Sequence, residues 1–193
     1  MGQQKKVLLT GASSLLIRAL AKKFEQDGYD IFLGSRSFPC VLQTKLKKCR
    51  IISYEEIFAG EIKFDKVVHG AAINNNAEFK KQLMMQVNVD FAIQIADATL
   101  RDHKTQFFYL SSFHALDENN DTNYANSKRA GAKALRDKYP KQTQILYLAK
   151  VHGYGWHGKL ALLNYLPSRL SRLTFTVLSA LKPVTHINEV FEV

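Results

Sequence analysis

Acidic residues are the scarce class in this 193-residue chain: 17 Asp and Glu stand against 27 Lys and Arg, a formal net charge of +10. Such an excess draws polyanions, whether nucleic acid, acidic membrane or phosphorylated small molecules. The chain has no Arg-Gly-aromatic run and no zinc-finger spacing, so a nucleic-acid partner would rest on charge alone, and phosphorylated small molecules are the expected partners. Cysteine is scarcer still. Cys40 and Cys49 match no zinc or redox spacing, which excludes a disulfide framework and reads as two reduced thiols in a cytoplasmic protein. Of the six histidines, His152 and His157 lie in a glycine-rich stretch rather than on one helical face, so no metal site is expected.

Long uninterrupted apolar runs are also missing. "LALLNYLPSRLSRLTFTVLSAL" comes nearest, but Pro167, Arg169 and Arg172 break it, and no membrane span is expected. The start, "MGQQKKVLL", has too short an apolar run for a signal peptide. Gly2 invites a myristoylation reading that Lys5 and Lys6 weaken. No linker, repeat or low-complexity segment divides the sequence. It reads as a single domain over 1–193, with a short substrate-side segment around 152–185.

What is present is a strict alternation. "KVLLTG", "YDIFLGS", "CRIIS", "FDKVVHGAA", "QFFYLSS" and "QILYLAKVHG" are strand-like apolar runs. Between them lie helical patterns: Leu16, Leu20 and Phe24 on one face up to Gly28, a turn at "YEEIFAG", a long helix with Val87, Phe91, Ile95 and Ala98 on one stripe, and "NYANSKRAGAKALRDKY". Continuous apolar strands separated by helices predict an α/β, doubly wound, Rossmann-like parallel sheet covered on both faces.

Ligands of that architecture bind at the carboxyl ends of the strands. Four groups fall there: "TGASS", "GSR", "HGAA" and "LSS", followed by a helix carrying "YANSK". Tyr124 and Lys128, four apart on a helix, share a face. A nearby ammonium lowers a phenol's pKa from its usual value of about 10 and suits it to moving a proton. A serine hydroxyl from the neighbouring strand end can hold a substrate oxygen beside it. None of the other seven of the eight tyrosines has Lys at the fourth following position.

These motifs resemble the short-chain dehydrogenase/reductase superfamily over almost the whole chain. "HGAA" and "PVTHINEV" are closest to its extended branch, the NAD-dependent epimerase/dehydratases that act on nucleotide sugars. The short interval from Ser112 to Tyr124 looks like the classical branch. The resemblance implies Ser112 (with Ser111 the alternative register), Tyr124 and Lys128 as catalytic residues, Lys128 also binding the nicotinamide ribose. It further implies cofactor contacts from Gly11, Ser13, Ser14, Leu15, Leu16, Arg36, Ala71 and Ala72. Asn88 matches an asparagine that supports a proton-relay water in the classical branch. A homodimer is implied through the helices bearing Asn88 and Tyr124, with Met84, Met85 and Phe91 supplying apolar contact. The chain ends soon after "PVTHINEV", so most of the extended branch's substrate-binding tail is expected to be missing.

Cofactor choice follows the end of the second strand. Ser35 stands where an NAD-preferring site would carry an acid, and Arg36 can pair with a 2′-phosphate, so NADP is favoured over NAD. The glycine-rich loop departs from its pattern: Gly11 is kept, but Leu15 and Ile17 replace the two later glycines. Leu15 is expected to crowd the pyrophosphate, and Ile17 to push the helix off the sheet unless its neighbours have shrunk. The main-chain donors at the helix start are unaffected by either change. Two functions stay open: an NAD(P)-dependent oxidoreductase or epimerase/dehydratase-like enzyme acting on a small molecule, and a non-catalytic relative that senses dinucleotide or serves as a partner subunit.

Overall fold

The structure is a computed structural model that describes residues 4–36, 49–73, 81–101, 104–152 and 184–186. Strands β1 (Lys6–Thr10), β2 (Asp30–Gly34), β3 (Cys49–Ile52), β4 (Lys66–His69), β5 (Gln106–Ser112) and β6 (Thr143–Leu148) form one sheet in the order β3-β2-β1-β4-β5-β6. The pairs β3–β2, β2–β1, β1–β4 and β4–β5 are parallel. This is the doubly wound order expected from the sequence, and its direction reverses between β1 and β4, where Thr10 stands opposite His69.

Helix α1 (Leu15–Gln26) follows β1 and buries Ile17, Ala19, Leu20 and Ala21. Gly28 ends it as expected. Its φ of +83° lets Tyr29 N–H reach back to the Phe24 carbonyl at 3.0 Å. Helix α2 (Tyr54–Ala59) starts at a reciprocal capping box between Ser53 and Glu56. The long helix has three parts: α3 (Lys81–Met85), a π turn over Gln86–Asp90, and α4 (Phe91–Thr99). A π turn holds more residues than an α turn, so it rotates the inward face. Asn88 and Val89 are consequently buried, while Val87 and Phe91 are only half-buried. Helix α5 (Asn123–Lys138) lies after β5.

The main core joins one sheet face (Leu8, Phe32, Val67, Phe107, Tyr109) to Ile57 of α2, Ala92 and Ile95 of α4, and Ala132 and Leu135 of α5. Each large apolar side chain wholly buried there contributes roughly 1.5–3 kcal/mol. The opposite face presents Val7, Leu9, Ile31, Leu33 and Val68, all buried, and α1 packs on that side of the fold against β1 and β2.

One sequence expectation is corrected. "QILYLAKVHG" reads as a single sixth strand, but the strand stops at Leu148, and β7 (Lys150–His152) pairs in parallel with β8 (Val184–His186) instead. The chain divides accordingly into two compact units, residues 1–147 and 148–193. Most of the segment expected on the substrate side, Cys40, and the apolar stretch interrupted by Pro167 lie outside the described residues. Among the described residues no helix is long and apolar enough to cross a membrane, and no group of His, Cys, Asp or Glu could hold a metal ion.

Candidate functional site

The turn after β1 is built on Gly11, at φ +84°. A Cβ there would stand 2.7 Å from Ala71 N and from the Gly70 carbonyl carbon, so position and conformation both demand glycine. Ser14 N–H closes the turn onto the Gly11 carbonyl at 2.9 Å, and Ser14 caps α1 without using its side chain. The first α-helical bond is Arg18 N–H to Ser14 O, which leaves the amides of Leu15, Leu16 and Ile17 without intrahelical acceptors. Ser13 and Leu15 are exposed beside them, Leu16 is half-buried, and the Arg18 guanidinium returns to the Ser13 carbonyl at 3.2 Å. This end of α1 carries free donors and the positive end of the helix dipole, the features an anion senses.

Ile17 does not splay the helix. It is fully buried, and Gly70 is the neighbour that has shrunk: a Cβ on Gly70 would come within 2.6 Å of Ile17 Cδ1.

At the reversal point Ala71 N–H reaches Thr10 Oγ1 at 3.4 Å, and Thr10 Oγ1 lies 3.0 Å from His69 Nδ1. The other ring nitrogen of His69, Nε2, is buried with no hydrogen-bond partner among the described residues. The ring stacks on Tyr109 and Phe107, centroids 6.0 Å away in each case. Burial first, and the Lys128 charge second, push the imidazole pKa down to about 3. His69 is therefore a neutral structural hub at physiological pH.

Arg36 is exposed just beyond β2. The sequence reading missed its neighbour, Tyr54. The Tyr54 hydroxyl donates to the Gly34 carbonyl at 3.3 Å, and a Cβ on Gly34 would press on the ring, 3.2 Å from its Cε1. Burial raises the Tyr54 pKa, while the Gly11 amide and the Arg36 charge pull it back. Tyr54 thus joins the Gly11 turn to the carboxyl end of β2. Its signal was legible: the capping box at Ser53 starts a helix directly at the end of β3.

Ser112, the last residue of β5, is nearly buried, and its hydroxyl acts on the side chain of Tyr124, at the start of α5, to lower the phenol pKa. Ser111, the alternative register, has a buried hydroxyl without a hydrogen-bond partner among the described residues. Lys128 is only 2% exposed. Its ammonium donates to the Leu110 carbonyl at 2.7 Å and lies 4.5 Å from the Tyr109 ring centre. Burial lowers its pKa to about 7. The expected effect of Lys128 on Tyr124 is not what this arrangement gives. Burial raises the Tyr124 pKa, and the opposing influence is the Ser112 hydroxyl, while the Lys128 ammonium sits against the Leu110 carbonyl and the Tyr109 ring.

Asn88 is fully buried. Its side chain accepts from Ile73 N–H at 2.9 Å, donates to Ile73 O at 3.1 Å, and donates to Ser127 Oγ at 2.9 Å. It ties the strand end carrying Ala71 and Ala72 to the helix carrying Tyr124. Its main-chain carbonyl, within the π turn, accepts the Tyr109 hydroxyl at 2.8 Å. Gly131 makes that contact possible, since a Cβ there would meet Tyr109 Oη at 2.6 Å.

The family model described as "RmlD substrate binding domain" matches residues 5–162. The chain belongs to that family. This is the extended short-chain dehydrogenase/reductase branch that the motifs indicate. No curated protein sequence matches the chain. Among solved structures, it resembles ADP-L-glycero-D-manno-heptose-6-epimerase of Helicobacter pylori, with a TM-score of 0.72, 14% identity, and 97% of this chain and 71% of that one covered. Bordetella bronchiseptica WbmH in complex with NAD+ gives 0.73 at 15% identity, with 97% and 70% covered. ElxO with NADP bound gives 0.62 at 16% identity, with 78% and 75% covered. At these identities the likeness to solved structures establishes the fold of the family, not the chemistry of its members.

Proposed function

We propose that this chain is an NAD(P)-dependent oxidoreductase or epimerase/dehydratase-like enzyme acting at a hydroxyl or carbonyl group of a small molecule of the nucleotide-sugar class. The observation that carries this reading is the placement of Ser112 at the carboxyl end of β5 with Tyr124 at the start of α5, one helical turn from the buried Lys128. Membership of the RmlD family and likeness to a sugar-nucleotide epimerase support the substrate class.

The residues present fit a dinucleotide. Gly11 provides a turn that any Cβ would fill, and the adjacent helix start has free amides. Gly11, Ser13, Ser14, Leu15 and Leu16 would hold the pyrophosphate, Ala71 and Ala72 would border it, and Tyr124 and Lys128 would meet the nicotinamide end. Arg36 supports NADP over NAD by offering a guanidinium to a 2′-phosphate. When bound, the cofactor supplies or accepts a hydride. Tyr124, with its raised pKa, keeps its proton at neutral pH and is suited to give it to a carbonyl oxygen held by Ser112. Lys128 titrates near neutrality and supplies an ammonium on the same helix face.

We further propose a homodimer through the helices bearing Asn88 and Tyr124, acting in the cytoplasm, with residues 152–185 on the substrate side. Met84 is buried within the protomer, so apolar contact in such a dimer would fall to Leu83, which is 39% exposed, and to the half-buried Met85 and Phe91.

Titration of the protein with NADPH and NADH, followed through Trp156 fluorescence, tests binding. Loss of NADPH-dependent turnover in Tyr124→Phe tests the chemistry. Leu15, exposed at the helix start where a glycine is usual, favours the second reading, a non-catalytic dinucleotide sensor or partner subunit. Binding without any Tyr124-dependent turnover would establish that reading instead.

A further inference from the structure

Residues 113–122 run between Ser112 and Tyr124 outside the sheet. Backbone bonds from Leu116 N–H to the Phe113 carbonyl and from Asn120 N–H to the Asp117 carbonyl close two tight turns, and the Thr122 carbonyl accepts Asn126 N–H at the start of α5. Side chains supply the rest of the order. Asp117 Oδ1 accepts Asn119 N–H at 3.1 Å, and Asn120 Oδ1 accepts Thr122 N–H at 3.2 Å and the Thr122 hydroxyl at 2.7 Å. Thr122 Oγ1 then caps α5 by accepting Ala125 N–H at 3.2 Å. One cation on α5 binds this whole connection. Arg129 donates from Nε to the Ala115 carbonyl at 3.2 Å, and from Nη2 to the carbonyls of Asp117 at 2.6 Å and Asn120 at 3.4 Å. Its Nη1 is fixed by Asn126 Oδ1 at 2.7 Å, one helical turn back. Three carbonyls spread over six residues converge on one planar fork. An ammonium has three donors, but all on one nitrogen, and cannot span carbonyls that Arg129 reaches from both Nε and Nη2.

The first of those carbonyls matters most. Ala115 ends the 3-10 turn Phe113–Ala115, and within that turn His114 N–H donates to Ser112 Oγ at 3.3 Å. An Oγ that accepts from His114 has its own hydroxyl proton directed elsewhere, and Tyr124 is the side chain it meets. We propose that Arg129 is a positioning residue: by fastening the 113–122 connection to α5, it sets the 3-10 turn that aims the Ser112 hydroxyl at Tyr124. Its importance for turnover rests on the function proposed above, whereas the aiming itself does not.

The test therefore begins on the protein without ligand. Tyrosine is labelled with 13C at Cζ, and Tyr124→Phe assigns the Tyr124 resonance. Ser112→Ala removes the hydrogen bond and defines the displacement of that resonance at neutral pH. Arg129→Ala is expected to displace it in the same direction by the same amount, and the Ser112→Ala/Arg129→Ala double variant to go no further. Arg129→Lys keeps the charge and the aliphatic stem, protects against misfolding of the alanine variant, and is expected to reproduce the displacement. A Tyr124 resonance unmoved in the folded Arg129 variants, restored by Lys, or moved additively with Ser112→Ala overturns the proposal. With NADPH-dependent turnover in hand, Arg129→Ala should lower kcat by about tenfold to a hundredfold with the KM for dinucleotide unchanged. Absence of turnover in the unaltered protein would count against the enzyme reading alone, because the resonance comparison still decides the role of Arg129.

Discussion

Ile17 occupies the space that a side chain on residue 70 would need: the Cβ of any residue replacing Gly70 would lie 2.6 Å from Ile17 Cδ1 and 2.8 Å from Cγ1. A glycine lost from the helix side of the junction is balanced by one on the strand side. The departure from the usual loop pattern is thus divided in two. Ile17 is a core residue, while Leu15 is 43% exposed at the helix start and contributes little to packing.

Gly70→Ala should destabilise the fold by about 1–3 kcal/mol through overpacking. Ile17→Ala alone should cost about 2–5 kcal/mol by leaving a cavity. The double variant should be more stable than the sum of the two losses implies, because the new methyl enters the vacated space. Urea unfolding of the three proteins measures this coupling, and strict additivity would contradict the contact.

Leu15→Gly should tighten dinucleotide binding if the leucine crowds the pyrophosphate, at a stability cost of up to about 1 kcal/mol for glycine in a helix. Ile17→Gly should not share that benefit without a much larger loss of stability. Fluorescence titration with NADPH, alongside thermal unfolding, separates the two. Unchanged affinity in a folded Leu15→Gly protein would mean that the side chain does not obstruct the site.

Arg36 is exposed and free to meet a ligand phosphate. Arg36→Ala should weaken NADPH binding by about tenfold, the equivalent of roughly 1.4 kcal/mol, and leave NADH binding nearly unchanged. Calorimetry with both dinucleotides gives the comparison. Equal affinities for NADPH and NADH in the unaltered protein would remove the argument for NADP.

Lys128, with a pKa of about 7, and His69, with one of about 3, make stability depend on pH in a defined sense. Both are bases whose pKa is lower in the folded chain than in the unfolded one, so the unfolded chain binds more protons between the two values. Stability should rise from pH 3 to about 6.5 through His69, and again from pH 7 to about 10.4 through Lys128. Lys128→Met should abolish the second rise, measured as the urea midpoint between pH 7 and 9. The His69 ring should show no titration by NMR above about pH 4, and a midpoint near 6.5 would show that it is hydrated rather than buried among Tyr109 and Phe107.

Most of the architecture was legible in the residues. Continuous apolar strands alternating with amphipathic helices specify a parallel sheet clothed on both sides, since no other arrangement buries both faces of β1, β4 and β5. Gly11 and Gly28 were legible as well, because each stands where the chain must take a positive φ. So was the pairing of Tyr124 with Lys128 on one helix face, which helical periodicity alone provides.

Other features depend on atoms distant in sequence. Whether Ile17 is tolerated turns on the absence of a Cβ at Gly70, across the β1–β4 junction. The lysine that a helix face places beside Tyr124 is drawn instead to the Leu110 carbonyl and the Tyr109 ring, because burial makes any unpaired charge costly and these were the partners within reach. The break of the sixth strand at Leu148 follows from a pairing between β7 and β8, a contact with no local signature. The sequence by itself determined which elements form and which chemical groups reach the carboxyl edge of the sheet, since periodicity and turn chemistry are local. Only the tertiary structure decided which of those groups touch, because hydrogen bonding and close packing join residues that the chain keeps far apart.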